Sequence, residues 1–217
     1  MHPFKTFHLL KIKAELDSAF KNNSEQELLK ILKNHSFLFF ELVERKAEET
    51  PIFHEIPFGN YRCDFMWYDR SSYGTHCILV EIEKPHGKIF TDYSPRPSEQ
   101  LTRGKTQIED WRNYLDGISN TEKMRTFGNI TDFKYILVAG TTEEWEKEAA
   151  KRWRANYNKR ESNCIIRSTS IFYRAIDKRR ILDDAWFLCF EKYPHTLSER
   201  EWREYVHSTE YLRYSAY

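Results

Sequence analysis

The chain has 217 residues, with 34 Lys and Arg set against 33 Asp and Glu. It is long enough for one sizeable core, and it lacks the overall basic excess common among nucleic-acid binders, so only local clustering of charge is informative. Aromatic residues reach 16% while Gly and Pro number 7 each, which excludes a low-complexity or disordered chain and suits a packed α/β or α+β domain.

No apolar run approaches the length of about 18 residues that a membrane span requires, and Met1 to Lys13 carries no secretory signal pattern. The expectation is a cytoplasmic protein with no membrane span. Cys63, Cys77, Cys164 and Cys189 are widely spaced, without a C-x-x-C or a Cys–His zinc pattern, so they read as buried free thiols.

In chain order, Phe7 to Phe20 carries apolar residues at helical spacing, and Asn22, Asn23 and Ser24 break it. Ser24 with Glu27 forms a capping box at the start of a second helix through Leu28, Leu29, Ile31 and Leu32. Beyond Pro51 the texture turns extended: Ile52 to Ile56, a Gly59-Asn60 turn, a strand Tyr61 to Tyr68, and a third strand His76 to Lys84.

A loop punctuated by Pro85, Gly87, Pro95 and Pro97 leads to a helix capped by Ser98, carrying Leu101, Ile108, Trp111 and Leu115 and ending near Gly117. Phe133 to Ala139 is nearly continuous in apolar residues, as in a strand buried on both faces. Thr141 with Glu144 caps a helix that aligns Trp145, Ala149 and Trp153, and a fifth strand follows at Cys164 to Arg167. A helix through Ile171 to Ile176 and a helical tail from Ile181 to Tyr217 complete the order α, α, β, β, β, α, β, α, β, α. The expected divisions are an N-terminal helical extension (1–23), a core domain (24–176) and a C-terminal helical tail (177–217).

Alternation along the third strand puts Glu81 and Glu83 on one face and Ile82 and Lys84 on the other. Arg62 and Asp64 likewise share a face, and antiparallel pairing would bring Asp64 to Glu81. Three carboxylates converging there would repel one another, and a cation relieves that cost; an all-oxygen set suits Mg²⁺ or Mn²⁺. Spacing alone better fits a solvated strand face whose glutamates never meet Asp64.

The stretches YRCDFMWY, ILVEIEKP and KTQIEDWRNYL, in that order, resemble the PD-(D/E)XK nucleases. The resemblance implies a restriction-endonuclease-like core, with a mixed sheet of about five strands flanked by helices, that cuts DNA with Mg²⁺ or Mn²⁺. It implies that Asp64 and Glu81 hold the metal and that Gln107 on the following helix completes the site. Where the pattern expects a metal-site Lys this chain has Glu83, with Lys84 one step on, so either Lys84 swings in near Pro85, or Glu83 is an added metal ligand, or the site is impaired. For the superfamily's Glu on its first core helix, Glu27 is the nearest candidate.

More closely, VEIEKPHGKIFT followed by QIEDWRNYL is similar to the Shedu family of bacterial antiphage-defence nucleases, over about Ser24 to Ile176. That implies DNA as substrate, a possible phage-encoded trigger and a homo-oligomer. Arg62, His86, Lys88, Arg103 and Lys105 are the expected nucleic-acid contacts, with Arg96 and Arg112 flanking the same helix.

Lys178, Arg179 and Arg180, joined by Arg174, form the densest basic cluster and read either as a phosphate grip or as a solvated helix end. The aromatic tail, with Trp202, Tyr205, Tyr211, Tyr214 and Tyr217, reads as packing or subunit contact. The alternative to an endonuclease is a catalytically impaired module of the same fold that binds nucleic acid or a phage protein.

Overall fold

The computed structural model describes residues 3–44, 50–91, 96–161, 163–208 and 211. Helices α1 (Pro3–Lys21) and α2 (Glu25–Asn34) and a 3-10 turn (Ser36–Glu41) precede three strands, β1 (Phe53–Phe58), β2 (Tyr61–Ser71) and β3 (Gly74–Ile82). Then come α3 (Glu99–Gly117), α4 (Asn120–Phe127), β4 (Asp132–Val138), α5 (Thr142–Glu146), α6 (Glu148–Arg160) and β5 (Cys164–Arg167). Helix α7 (Ile171–Ile181), a 3-10 turn (Asp184–Phe187), α8 (Leu188–Lys192) and α9 (Glu199–Val206) close the chain.

The five strands lie in the order β1-β2-β3-β4-β5. The first two pairings are antiparallel and the last two parallel. This is the mixed five-stranded sheet flanked by helices that the sequence led us to expect. Its side chains feed two apolar layers. Phe65, Trp67, Ile78, Val80, Ile82, Ile136 and Val138 face α1, α2 and α7. Cys77, Leu79, Tyr135, Leu137 and Ile166 face α3, α6 and α9. Apart from Asp132 and Lys134, strand β4 is apolar because it contributes to both layers.

One irregularity bears directly on the site. Phe53 and Ile56, three residues apart, both enter the second layer, and so do their register partners Met66 and Cys63. Strict alternation forbids that, so both strands slip by one residue at the same level. Glu55 supplies the slip in β1, with φ at 53°, a conformation that costs a non-glycine residue energy and is held only by its surroundings.

Several local expectations change. Helix α2 is capped as expected by Ser24, whose Oγ accepts the Glu27 N–H at 3.2 Å. The Glu27 carboxylate instead accepts from Asn22 Nδ2, at 3.1 Å. The expected single helix from Thr141 breaks at Lys147, whose ψ of 129° is extended, so Ala150 rather than Ala149 is buried beside Trp145. Helix α4, capped by Ser119, was not anticipated. Strand β3 ends at Ile82, leaving Glu83 and Lys84 beyond it.

The tail is not one helix but short pieces that dock on β1. The Leu197 N–H donates to Ile52 O at 2.8 Å, and its carbonyl accepts the His54 N–H at 2.9 Å. Trp202, Tyr205 and Tyr211 are buried in the second layer, so these three aromatics pack the core; Tyr214 and Tyr217 lie outside the described residues. All four cysteines are free and buried.

Candidate metal and nuclease site

The β2–β3 ladder runs to Phe65↔Val80, so Asp64 stands opposite Glu81. There the ladder stops. Asp64 Oδ2 accepts the Ile82 N–H at 2.8 Å, a side chain taking the amide that a further ladder bond would use. The strand slip at Glu55 is what turns Asp64 toward β3 at this level.

Glu81 is only 9% exposed, and its Oε2 is buried without a hydrogen-bond partner among the described residues. Burial raises its pKa first, and the charges of Asp64, Glu83 and Glu25 raise it further. Asp64 is raised too, chiefly by burial, with Glu25, Glu83 and Glu55 adding to it and the Ile82 N–H opposing. An unpaired buried carboxylate is costly. Arg103 opposes the rise for Glu81, but its guanidinium is bonded to Glu83.

Glu83 is 2% exposed and is turned to the α3 side, where Arg103 Nη2 donates to its Oε2 at 3.1 Å. Helix α3 comes this close because position 104 is glycine: a Cβ there would lie 2.8 Å from Glu83 Oε1 and 2.9 Å from Leu137 Cδ1. No group of three His, Cys, Asp or Glu side chains able to hold a metal ion occurs among the described residues. The expected convergence of Asp64, Glu81 and Glu83 on one ion is therefore not preformed, because Arg103 holds Glu83.

The two remaining oxygen donors still fit Mg²⁺. That ion is typically held by one or two carboxylates and otherwise by water and substrate phosphate, rather than by an all-protein cage. The orphaned Glu81 oxygen beside Asp64 is the kind of vacancy in charge balance that such an ion fills.

A fourth carboxylate joins this neighbourhood that sequence reasoning missed. Glu25, in the first turn of α2, has its pKa raised by burial and then by Glu83, while Arg103 and Lys84 pull it down. The placement comes from the loop after β3. The His86 N–H donates to Asn23 Oδ1 at 2.8 Å, tying that loop to the α1–α2 turn, and Thr169 Oγ1 donates to Pro85 O at 3.2 Å from the other side. Glu27, the candidate read from sequence, is engaged with Asn22.

Lys84 is exposed and lies within electrostatic reach of Glu25. Gln107 is half-buried on α3, one turn beyond Gly104 and on the same side. Arg62 is exposed opposite Pro57, with Glu55 in its field. The His86 ring packs edge-on against Phe20 at 5.5 Å, and Lys88 is exposed in the same loop.

Lys105 faces away from the carboxylates. Its ammonium lies over the Trp153 and Tyr157 rings, at 5.5 and 5.2 Å. Arg112 pairs with Glu161 at 3.0 Å. In the basic cluster, Arg179 bonds to Glu191 and lies over the Phe187 ring, so it serves the fold rather than a solvated grip.

The family model for the C-terminal part of the Shedu protein SduA matches residues 22–168, more than half of the chain. The chain belongs to that family. The matched Shedu segment holds Glu25, Asp64, Glu81 and Glu83, with Arg103, Gly104 and Gln107, and it ends at Ser168 just past β5. A search of curated proteins found no match. Among the described residues no helix is long and apolar enough to cross a membrane. Membership in the Shedu family points to antiphage defence.

Proposed function

We propose that the chain is a metal-dependent DNA endonuclease of antiphage defence, with a PD-(D/E)XK-type core, that hydrolyses phosphodiester bonds at Asp64 and Glu81. The observation that carries this reading is the buried Glu81 carboxylate with one oxygen unpartnered, standing against Asp64. Asp64 and Glu81 would hold Mg²⁺ or Mn²⁺, which would supply a deprotonated water at neutral pH and neutralise phosphoryl charge.

The chain's own groups divide the remaining work. Asp64 is oriented by the Ile82 N–H. Glu83 fixes the Arg103 guanidinium at the rim, where it faces an incoming phosphate, and Gln107, one turn on, positions water or a phosphoryl oxygen. Lys84, exposed at the end of β3, occupies the place nearest to the lysine that the nuclease pattern expects. Glu25 adds negative charge that sharpens the demand for a cation.

A second reading is favoured by one observation. The position of the expected lysine is Glu83, and its partner is an arginine, which favours a module that binds nucleic acid without cutting it; binding would then survive EDTA and no metal would yield product. The test is cleavage of linear and supercoiled DNA with Mg²⁺, with Mn²⁺ and with EDTA, using the parent chain, Asp64→Asn and Glu81→Gln. Each variant is expected to lose at least about a hundredfold in rate, as removal of a group that stabilises transition-state charge typically does, while melting as a folded protein. Cleavage by either variant at the parent rate would remove the site assignment.

A further inference from the structure

Strand β5 is the edge of the sheet, and beyond it a cleft of about 430 Å³ opens between α6 and α7. Its wall includes Thr142, Trp145, Arg154, Arg167, Ser168 and Arg174. The charge there is one-sided: Lys151 stands with the three arginines, against Glu146 alone.

The cations are not neutralised by the fold. Arg154 has its guanidinium over the Trp145 ring, 4.8 Å from the centroid, an arrangement that fixes its direction but leaves its charge. Among the described residues neither Arg154 nor Arg167 has a carboxylate partner, and Arg174 has only Glu41, at 3.8 Å. Burial lowers the Arg154 pKa, and Arg167 and then Arg174 lower it further, as like charges in mutual reach must. Three guanidiniums held together beside two hydroxyls form a site for an anion with several oxygens.

The cleft lies at the same end of the sheet as the carboxylates. Val138 pairs with Ile82 on one side and with Arg167 on the other. Arg167 is thus two strand spacings, about 10 Å, from the residue next to Glu81. That distance corresponds to roughly three phosphates along one nucleic-acid strand.

We propose that this cleft binds backbone phosphates of the nucleic-acid strand that reaches Asp64 and Glu81, a role for Arg154, Arg167 and Arg174 that rests on the nuclease reading of that pair. The same phosphate chemistry is offered by small phosphates, and the experiment separates the two. Binding of a fluorescent single-stranded DNA oligonucleotide is measured in EDTA against salt, in the Glu81→Gln background, so that cleavage plays no part. Inorganic phosphate is the competitor.

Arg154→Ala with Arg167→Ala is expected to weaken binding and to flatten the plot of log affinity against log salt by about 1.4, two phosphate contacts at about 0.7 each. Lysine at both positions is expected to restore most of that slope. Unchanged affinity and slope in the folded double alanine variant would overturn the proposal, and so would phosphate binding lost in that variant with the oligonucleotide unaffected. Strand binding through the arginines in a parent that never cuts would instead overturn the nuclease reading and leave the cleft assigned.

Discussion

Gly104 shows how one missing methyl group shapes the site. In an ordinary helix interior an alanine would be the more stable residue by about 0.5–1 kcal/mol, but here its Cβ would press on Glu83 and on the buried Leu137 side chain. Overpacking of this kind costs on the order of 1–3 kcal/mol. Gly104→Ala is therefore expected to melt lower than the parent and to cut more slowly, because α3 must move off Glu83 and carry Arg103 and Gln107 with it. Equal melting and equal rate would show that the close approach of α3 is unnecessary. At this scale the sequence was legible where residue type and strand pairing sufficed, as for Asp64 opposite Glu81. It was silent on Glu25. Both Glu25 and Glu27 lie in the first turn of α2 and the capping pattern drew attention to Glu27, but Glu27 is bonded to Asn22, while the loop tied to Asn23 by the His86 N–H lies on the Glu25 side.

The elements were legible wherever local chemistry fixes them, and illegible where a break depends on tertiary packing. Ser98 and Thr141 cap helices as their spacing predicts, and the Gly59-Asn60 turn joins β1 to β2 with Gly59 at φ 55°. The break at Lys147 carries no glycine or proline. It exists because Trp145 and Ala150 must both enter the second layer, a phase that one continuous helix would not give. The slip at Glu55 was equally hidden, since a glutamate in a left-handed conformation has no sequence signal. Edge strand β5 makes a prediction of its own. Asn158 Oδ1 accepts the Ile166 N–H at 2.9 Å, and Nδ2 donates to its carbonyl at 3.5 Å, which satisfies and blocks that edge. Asn158→Ala is expected to lower unfolding stability by about 1 kcal/mol, read as a shift in denaturant midpoint, and to raise light scattering at high concentration. An unchanged midpoint would mean that water replaces the side chain at no cost.

Across the whole molecule, two apolar layers hold a sheet whose buried acidic end lies on β2 and β3. The tail strengthens that frame by bridging Phe53 to Leu197 and burying Trp202, an arrangement that a reading of the tail as one helix could not show. The electrostatics of this end link stability to pH. Asp64 and Glu81 both have folded-state pKa values above their ordinary ones, Asp64 at about 7 and Glu81 at about 10. The metal-free folded state therefore holds protons that the unfolded chain releases, and the stability they contribute is complete below about pH 4 and lost as pH rises through those values. On the proposed metal-dependent reading, a divalent cation would take the place of those protons.

The measurement that tests this most directly is calorimetric titration of Mn²⁺ into the protein at pH 7 in buffers of different ionisation heat, with Glu81→Gln alongside. Saturable binding accompanied by proton release, both lost in Glu81→Gln, is the expected result. Binding without proton release, or binding unchanged in Glu81→Gln, would contradict the assignment of Asp64 and Glu81 as the seat of the metal.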